Sequence, residues 1–294
     1  MPSLKEVRTR ITSVKSTQQI TSAMKMVAAS KLRKAQTSIL QLRPFAAQQK
    51  LLLQQLTAGL GDKTPNVYGR EPESGKILYV VFSSNRGLCG AYNTNVIKQM
   101  NALLARHRID NNIQHVSLMT IGKKVSEFFA RQQVNIVSSH DELYDQMSYA
   151  KAVAVAEDLM KKFVSGEYDR ILFVYHQFKN AVVQKLQVEQ FLPVESPENE
   201  NGGAHHEVEY IFDPSRTEIL EDLVPQILKT QFYKALLDSW ASELGARMTA
   251  MSQATDNASE LLKELRLTYN KARQAAITKE ILEIVGGAEA LKNS

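Results

Sequence analysis

The sequence predicts an α/β fold with a small, mostly parallel open sheet, set between two long terminal helices that pair with each other. Three observations carry that expectation. Residues 3–56 contain no glycine and one proline, Pro44. Residues 77–191 alternate strand-like and helix-like runs, and from 213 to about 285 apolar residues recur at helical spacing. The bulk properties agree: 294 residues, 44% hydrophobic and 23% charged, belong to a folded soluble chain with one large or two ordinary domains.

The N-terminal helix is expected to start at Ser3, because Ser3 and Glu6 have the spacing of a capping box. Leu4, Val7, Ile11 and Val14 then follow the a/d spacing of a coiled coil. The same register continues through Gln18, Thr21 and Lys25 before Ala28, Leu32, Ala35, Ile39 and Leu42. Three polar positions interrupt the seam, and there the apolar residues move to Ile20, Met24 and Val27 on an adjacent face. A helix with such a shift has two partner surfaces or turns against one.

The expected domains are the N-terminal helix over 1–58, a linker over 59–75, an α/β domain over 76–212 and the C-terminal helix over 213–294. The linker is rich in Gly and Pro. Strands are expected at 77–83, 115–121, 134–138, 170–176 and 182–191, with helices over 93–107, 123–133 and 148–164 between them. Residues 195–207 read as a solvated loop and 208–212 as a further strand or connector. Asp213-Pro214-Ser215 opens the last helix, where Pro225 can kink an early turn and Gly286-Gly287 is expected to end it. About 70 residues at ~1.5 Å each span ~100 Å, more than a domain of this size can bury, so the helix is expected to project and to need a partner helix.

Candidate chemistry is sparse. Ser84-Asn85-Arg86-Gly87-Leu88-Cys89-Gly90 follows the first strand, where open sheets bind phosphates, but it matches neither GxGxxG nor a P-loop. A tight turn using glycine's conformational freedom is the preferred reading. Cys89, the single cysteine, has no histidine near it in sequence and reads as inert. His205, His206 and Glu207 lack a convincing geometry for a metal, so no metal, cofactor or catalytic residue is assigned. Met24, Met26, Met248 and Met251 suit a coil core or a surface meeting several partner conformations, and the two readings hold at different residues.

Charge supplies the strongest partner signal. Residues 1–50 hold ten Lys or Arg and one acid, Glu6, for a net +9; the rest carries −4 within a chain of +5. Residues 5–34 lack aromatic residues for base stacking and the Trp or Phe of an interfacial helix. An acidic protein surface therefore suits it best, with a basic coiled-coil nucleic-acid-binding protein as the alternative and a Cys89 enzyme third. No stretch approaches the ~18 apolar residues of a membrane span, the N-terminus lacks a secretory core and is basic over too long a stretch for a transit leader, and a cytoplasmic setting is expected.

The wording of the ends is decisive. Residues 11–36 (ITSVKSTQQITSAMKMVAASKLRKAQ) and 254–291 closely resemble the γ subunit of F-type ATP synthases, and RGLCGAYN (86–93) resembles that family's mid-chain signature. The likeness covers the whole chain in order. It implies an asymmetric antiparallel coiled coil of the terminal helices in the axis of a ring of α and β subunits, with the α/β domain on the rotor c-ring beside the ε subunit. The function so implied is that of a rotor shaft coupling proton-driven rotation to the catalytic cycle of β: a non-catalytic subunit without cofactor, nucleic acid or direct membrane insertion, peripheral on the cytoplasmic face of a bacterial inner membrane. The resemblance also implies β-subunit contacts for Met24 and Lys25, Arg247, and the polar cluster Arg273, Gln274 and Thr278. Residues 196–206 look like a local loop extension of the family pattern, and the cysteine pair of the redox-regulated chloroplast form is absent.

Overall fold

The computed structural model describes residues 3–57, 67–69, 75–107, 115–145, 147–194 and 216–292. Most of the expected linker, the loop 195–207 with His205 and His206, the strand expected over 208–212 and the start of the last helix at 213–215 lie outside the described residues.

The first helix, α1, spans Leu4–Thr57, and the amide of Glu6 donates to Ser3 Oγ at 3.2 Å, as the capping spacing requires. Pro44 lies inside it without ending it. Strands β1 (Lys76–Phe82), β2 (His115–Ile121), β3 (Ile136–Ser139), β4 (Arg170–Phe178) and β5 (Gln184–Leu192) form one sheet in the order β3-β2-β1-β4-β5. Between them lie α2 (Tyr92–His107), α3 (Lys123–Arg131), a 3-10 turn at Asp141–Tyr144 and α4 (Tyr149–Val164). The pairs β1–β2, β1–β4 and β2–β3 are parallel, and β4–β5 is antiparallel. The reason for the antiparallel edge is the short connection, which leaves no room for a crossover. Asn180 Oδ1 accepts from the amides of Val182 and Val183 at 2.9 and 2.7 Å and so makes the turn. Val182 and Val183, expected in the strand, belong to that turn.

The sheet is covered on both faces. Leu78, Val80 and Phe82 of β1 pack with α4 residues such as Leu159 and Phe163, while Ile77, Tyr79 and Val81 pack with Val96 and Met100 of α2 and with Val125 and Phe129 of α3. The last helix, α5, spans Arg216–Lys292 and carries Pro225 inside it. Its early part departs from expectation. Val224, Leu228, Phe232, Ala235 and Leu236 belong to the same core as β1 and α4, so this stretch is domain core and does not project. Nor do Gly286 and Gly287 end the helix. The helix runs on through both to Lys292, and nothing lies within 4 Å of a Cβ built at either glycine.

The chain divides into two compact units, one formed by Met1–Ala28 with Met248–Ser294 and the other by Ala29–Arg247. Both long helices run through both units.

Candidate functional site

In the unit formed by the chain ends, three polar pairs set the register of the helices. Gln18 Nε2 donates to Ser259 Oγ at 2.6 Å, Thr255 Oγ1 to Thr21 Oγ1 at 2.8 Å, and Lys25 Nζ to Ser252 Oγ at 2.9 Å. Partner numbers fall along α5 as they rise along α1, so the helices are antiparallel. These same residues overturn the expected shift of the seam. Gln18, Thr21 and Lys25 stay in the a/d row because each finds a polar partner across it, so the interface needs no apolar substitute there. Ile20 and Val27 consequently face outward at 59% and 57% exposure, and Met24 is half-buried beside them. On α5 Leu262 is buried, while its neighbour Leu261 is exposed.

Carrying this register along the pair puts the start of α1 opposite about residue 273 of α5. Residues 277–288 are exposed, among them Ile277, Ile281, Leu282, Ile284 and Val285. Arg273, Gln274 and Thr278 lie at the base of this tip, all exposed, with the Thr278 hydroxyl donating to the Gln274 carbonyl at 2.9 Å. Met24 and Lys25 lie mid-coil, ~30 Å away along the helix axis at 1.5 Å per residue. The expected contact residues therefore form two separate groups.

Arg247 belongs to neither group. Within the other unit its guanidinium donates to Gly87 O at 2.6 Å and Arg86 O at 3.2 Å and pairs with Glu243 one turn earlier on α5. It thus clasps the 84–90 turn. That turn is closed by its own side chains: Ser84 N donates to Asn93 Oδ1 at 3.0 Å, Asn93 Nδ2 to Ser84 Oγ at 2.7 Å, and Lys123 N to Asn85 Oδ1 at 3.2 Å. The Ser84 amide, first in the turn, is therefore already in use. The left-handed positions are Leu88 and Gly90, at φ 64° and 58°, and not Gly87. Cys89 is buried beneath the turn with Asn93 Nδ2 3.2 Å from its sulfur, and burial foremost pushes its thiol above the ordinary value. Such a thiol is a poor nucleophile.

Two polar centres were not legible in the sequence. The Glu243–Arg247 pair has the i,i+4 spacing that could have exposed it. The second joins Arg43 of α1 to Asp238 of α5 at 3.7 Å and to Phe178 O at 2.9 Å, across a sequence distance that carries no local signal. Among the described residues no helix is long and apolar enough to cross a membrane.

Residues 3–291 match the family model described as ATP synthase. The chain is 51% identical over 291 residues to the ATP synthase gamma chain of Christiangramia forsetii, covering 99% of both chains. It is 50% identical over 298 residues to that of Cytophaga hutchinsonii, with complete coverage of both. This chain belongs to the ATP synthase gamma-chain family. The resemblance seen in residues 11–36, 86–93 and 254–291 thus extends over nearly the whole sequence. In fold it is similar to a chain of the Euglena gracilis mitochondrial ATP synthase, in an assembly of OSCP, F1 and c-ring, with a TM-score of 0.68 at 23% identity, covering 98% of this chain and 94% of that one. A chain of the central stalk and c-ring of the Tetrahymena thermophila enzyme gives 0.55 at 24% identity, with 80% and 99% covered. Among the described residues, Ile20 and Val27, with half-buried Met24 beside them, and the tip of α5 leave apolar side chains exposed.

Proposed function

We propose that this gamma chain is the central rotor shaft of an F-type ATP synthase, coupling proton-driven rotation of the membrane ring to the conformational cycle of the catalytic β subunits. The observation that carries it is the antiparallel pair of terminal helices, which leaves both a basic and apolar row and an apolar tip exposed. The Lys31, Arg33 and Lys34 side chains, later on the same helix, are exposed, which suits an acidic partner surface on β. The tip at 277–288 suits an apolar sleeve built by the α and β subunits. An asymmetric shaft makes a different contact with each β, so its orientation biases sites it does not itself build. The chain is non-catalytic and a part of the peripheral F1 sector of a membrane complex.

The finer assignments belong to the same reading. Met24 and Lys25 form one β contact, and Arg273, Gln274 and Thr278 a second. Arg247 forms a third, separate one, together with the 84–90 turn that it clasps. The functional division is a shaft made of the terminal helices and an α/β foot over 76–212, which meets the ε subunit and the c-ring on the cytoplasmic face of a bacterial inner membrane.

Purified α and β subunits, mixed with this chain, test the proposal. The expected result is a co-eluting complex in which ATP hydrolysis turns a probe fixed to the α/β domain. A chain that elutes alone, or with excess absorbance at 260 nm from nucleic acid, overturns it.

A further inference from the structure

Open α/β sheets take their ligands at the carboxyl ends of the strands, where the strand order reverses. Here that point lies between β1 and β4, since β2 and β3 follow on one side of β1 and β4 and β5 on the other. The crevice is filled by α5. Arg247 reaches the turn that follows β1, through Gly87 O and Arg86 O. Ser242 Oγ donates to His176 O near the end of β4 at 3.0 Å. A Cβ on Gly245 would lie 3.2 Å from the Ala181 backbone just beyond that strand. On the remaining sides, Tyr92 OH lies 2.6 Å from Ser239 Oγ, Tyr144 OH donates to the same oxygen at 3.2 Å, and Arg43 of α1 holds Asp238 and Phe178 O.

Between Asp238 and Arg247 the helix is therefore bonded to α1, to α2, to the 3-10 turn, to β4 and to the 84–90 turn. The hydrophobic driving force is non-directional. Hydrogen bonds and ion pairs hold one orientation. We infer that this polar socket is a torsional lock, in which Arg247 and Glu243 are positioning residues that fix the rotational setting of α5 in the α/β domain, so that a twist applied to the domain is delivered to the helix without slip. The inference rests on the rotor reading of the chain and adds to it the place where torque enters the shaft.

The test is the double variant Glu243→Gln/Arg247→Met in the membrane-reconstituted holoenzyme. It should fold, because Arg86 and Gly87 are exposed, so water replaces the lost donor at their carbonyls, and because replacing both members of a buried pair avoids an orphaned charge. The expected result is a ratio of proton pumping to hydrolysis lowered about threefold or more in the assembled complex, whatever the hydrolysis rate itself. Arg247→Lys, which keeps the charge but not the two-pronged hold on the turn, should fall between. Amide exchange over residues 84–92 should accelerate in the double variant, which verifies that the clasp has been opened. Faster exchange with an unchanged pumping ratio overturns the lock and leaves the rotor reading standing. Failure of the wild-type chain to assemble with α and β overturns the rotor reading itself.

Discussion

Two buried groups near the carboxyl end of β4 carry opposite pH dependences, and separating them tests the physical account of this domain. Asp238 is 1% exposed; burial raises its carboxyl from 3.8 to about 6, against the lowering pull of Arg43, Lys234 and the Phe178 backbone, with Glu189 adding to the rise. His176 is 2% exposed, stacks on Tyr92 at 4.5 Å, and is lowered by burial from 6.5 to about 4. The folded state holds the Asp238 proton more tightly than the unfolded chain does. Its contribution to stability is thus complete below pH 3.8 and is lost as pH rises through about 6. The folded state keeps His176 neutral, so that contribution is complete above pH 6.5 and is lost as pH falls through about 4. At about 1.4 kcal/mol per pH unit of displacement, each is on the order of 3 kcal/mol, with opposite sign. The two nearly cancel in the wild type between pH 4 and 6.5. Asp238→Asn removes one arm, and relative to wild type its stability should drop by roughly 3 kcal/mol from pH 6.5 to 4. His176→Phe keeps the stack on Tyr92 and should do the reverse. Urea unfolding of the full chain at pH 4, 5, 6 and 7 measures both, and variant curves that parallel the wild type would refute the reasoning.

Three further outcomes follow from specific contacts. Gly286→Ala and Gly287→Ala should each stabilise the end of α5 by up to ~1 kcal/mol, because the added methyl meets nothing, and slower amide exchange over 280–292 is the readout. Cys89 should react slowly with a thiol-specific alkylating agent at pH 8 in the folded chain and rapidly in denaturant, and Cys89→Ser should cost about 1 kcal/mol, read from the urea midpoint. Thr21→Val leaves Thr255 without its partner across the seam, and helix-pair stability should fall by about 1 kcal/mol; Thr21→Val with Thr255→Val should recover most of that loss in a double-mutant cycle.

The parts of this protein legible in its sequence are those set by local periodicity. The capping spacing at Ser3 and Glu6, the strand at 115–121 and the glycine-free run of α1 each state their structure within a few residues. Even the antiparallel edge strand is local, forced by a short connection that Asn180 turns. What tertiary structure alone decided are the places where a residue's partner is distant in sequence. The seam stays at Gln18, Thr21 and Lys25 because Ser259, Thr255 and Ser252 complete their hydrogen bonds, and a helical wheel of α1 cannot contain that information. The early part of α5 is core because two further elements, β1 and α4, offer it an apolar face. Arg247 points inward because two carbonyls of a turn 160 residues away await a donor. Periodicity determines which faces can be buried; long-range polar pairing determines which of them are.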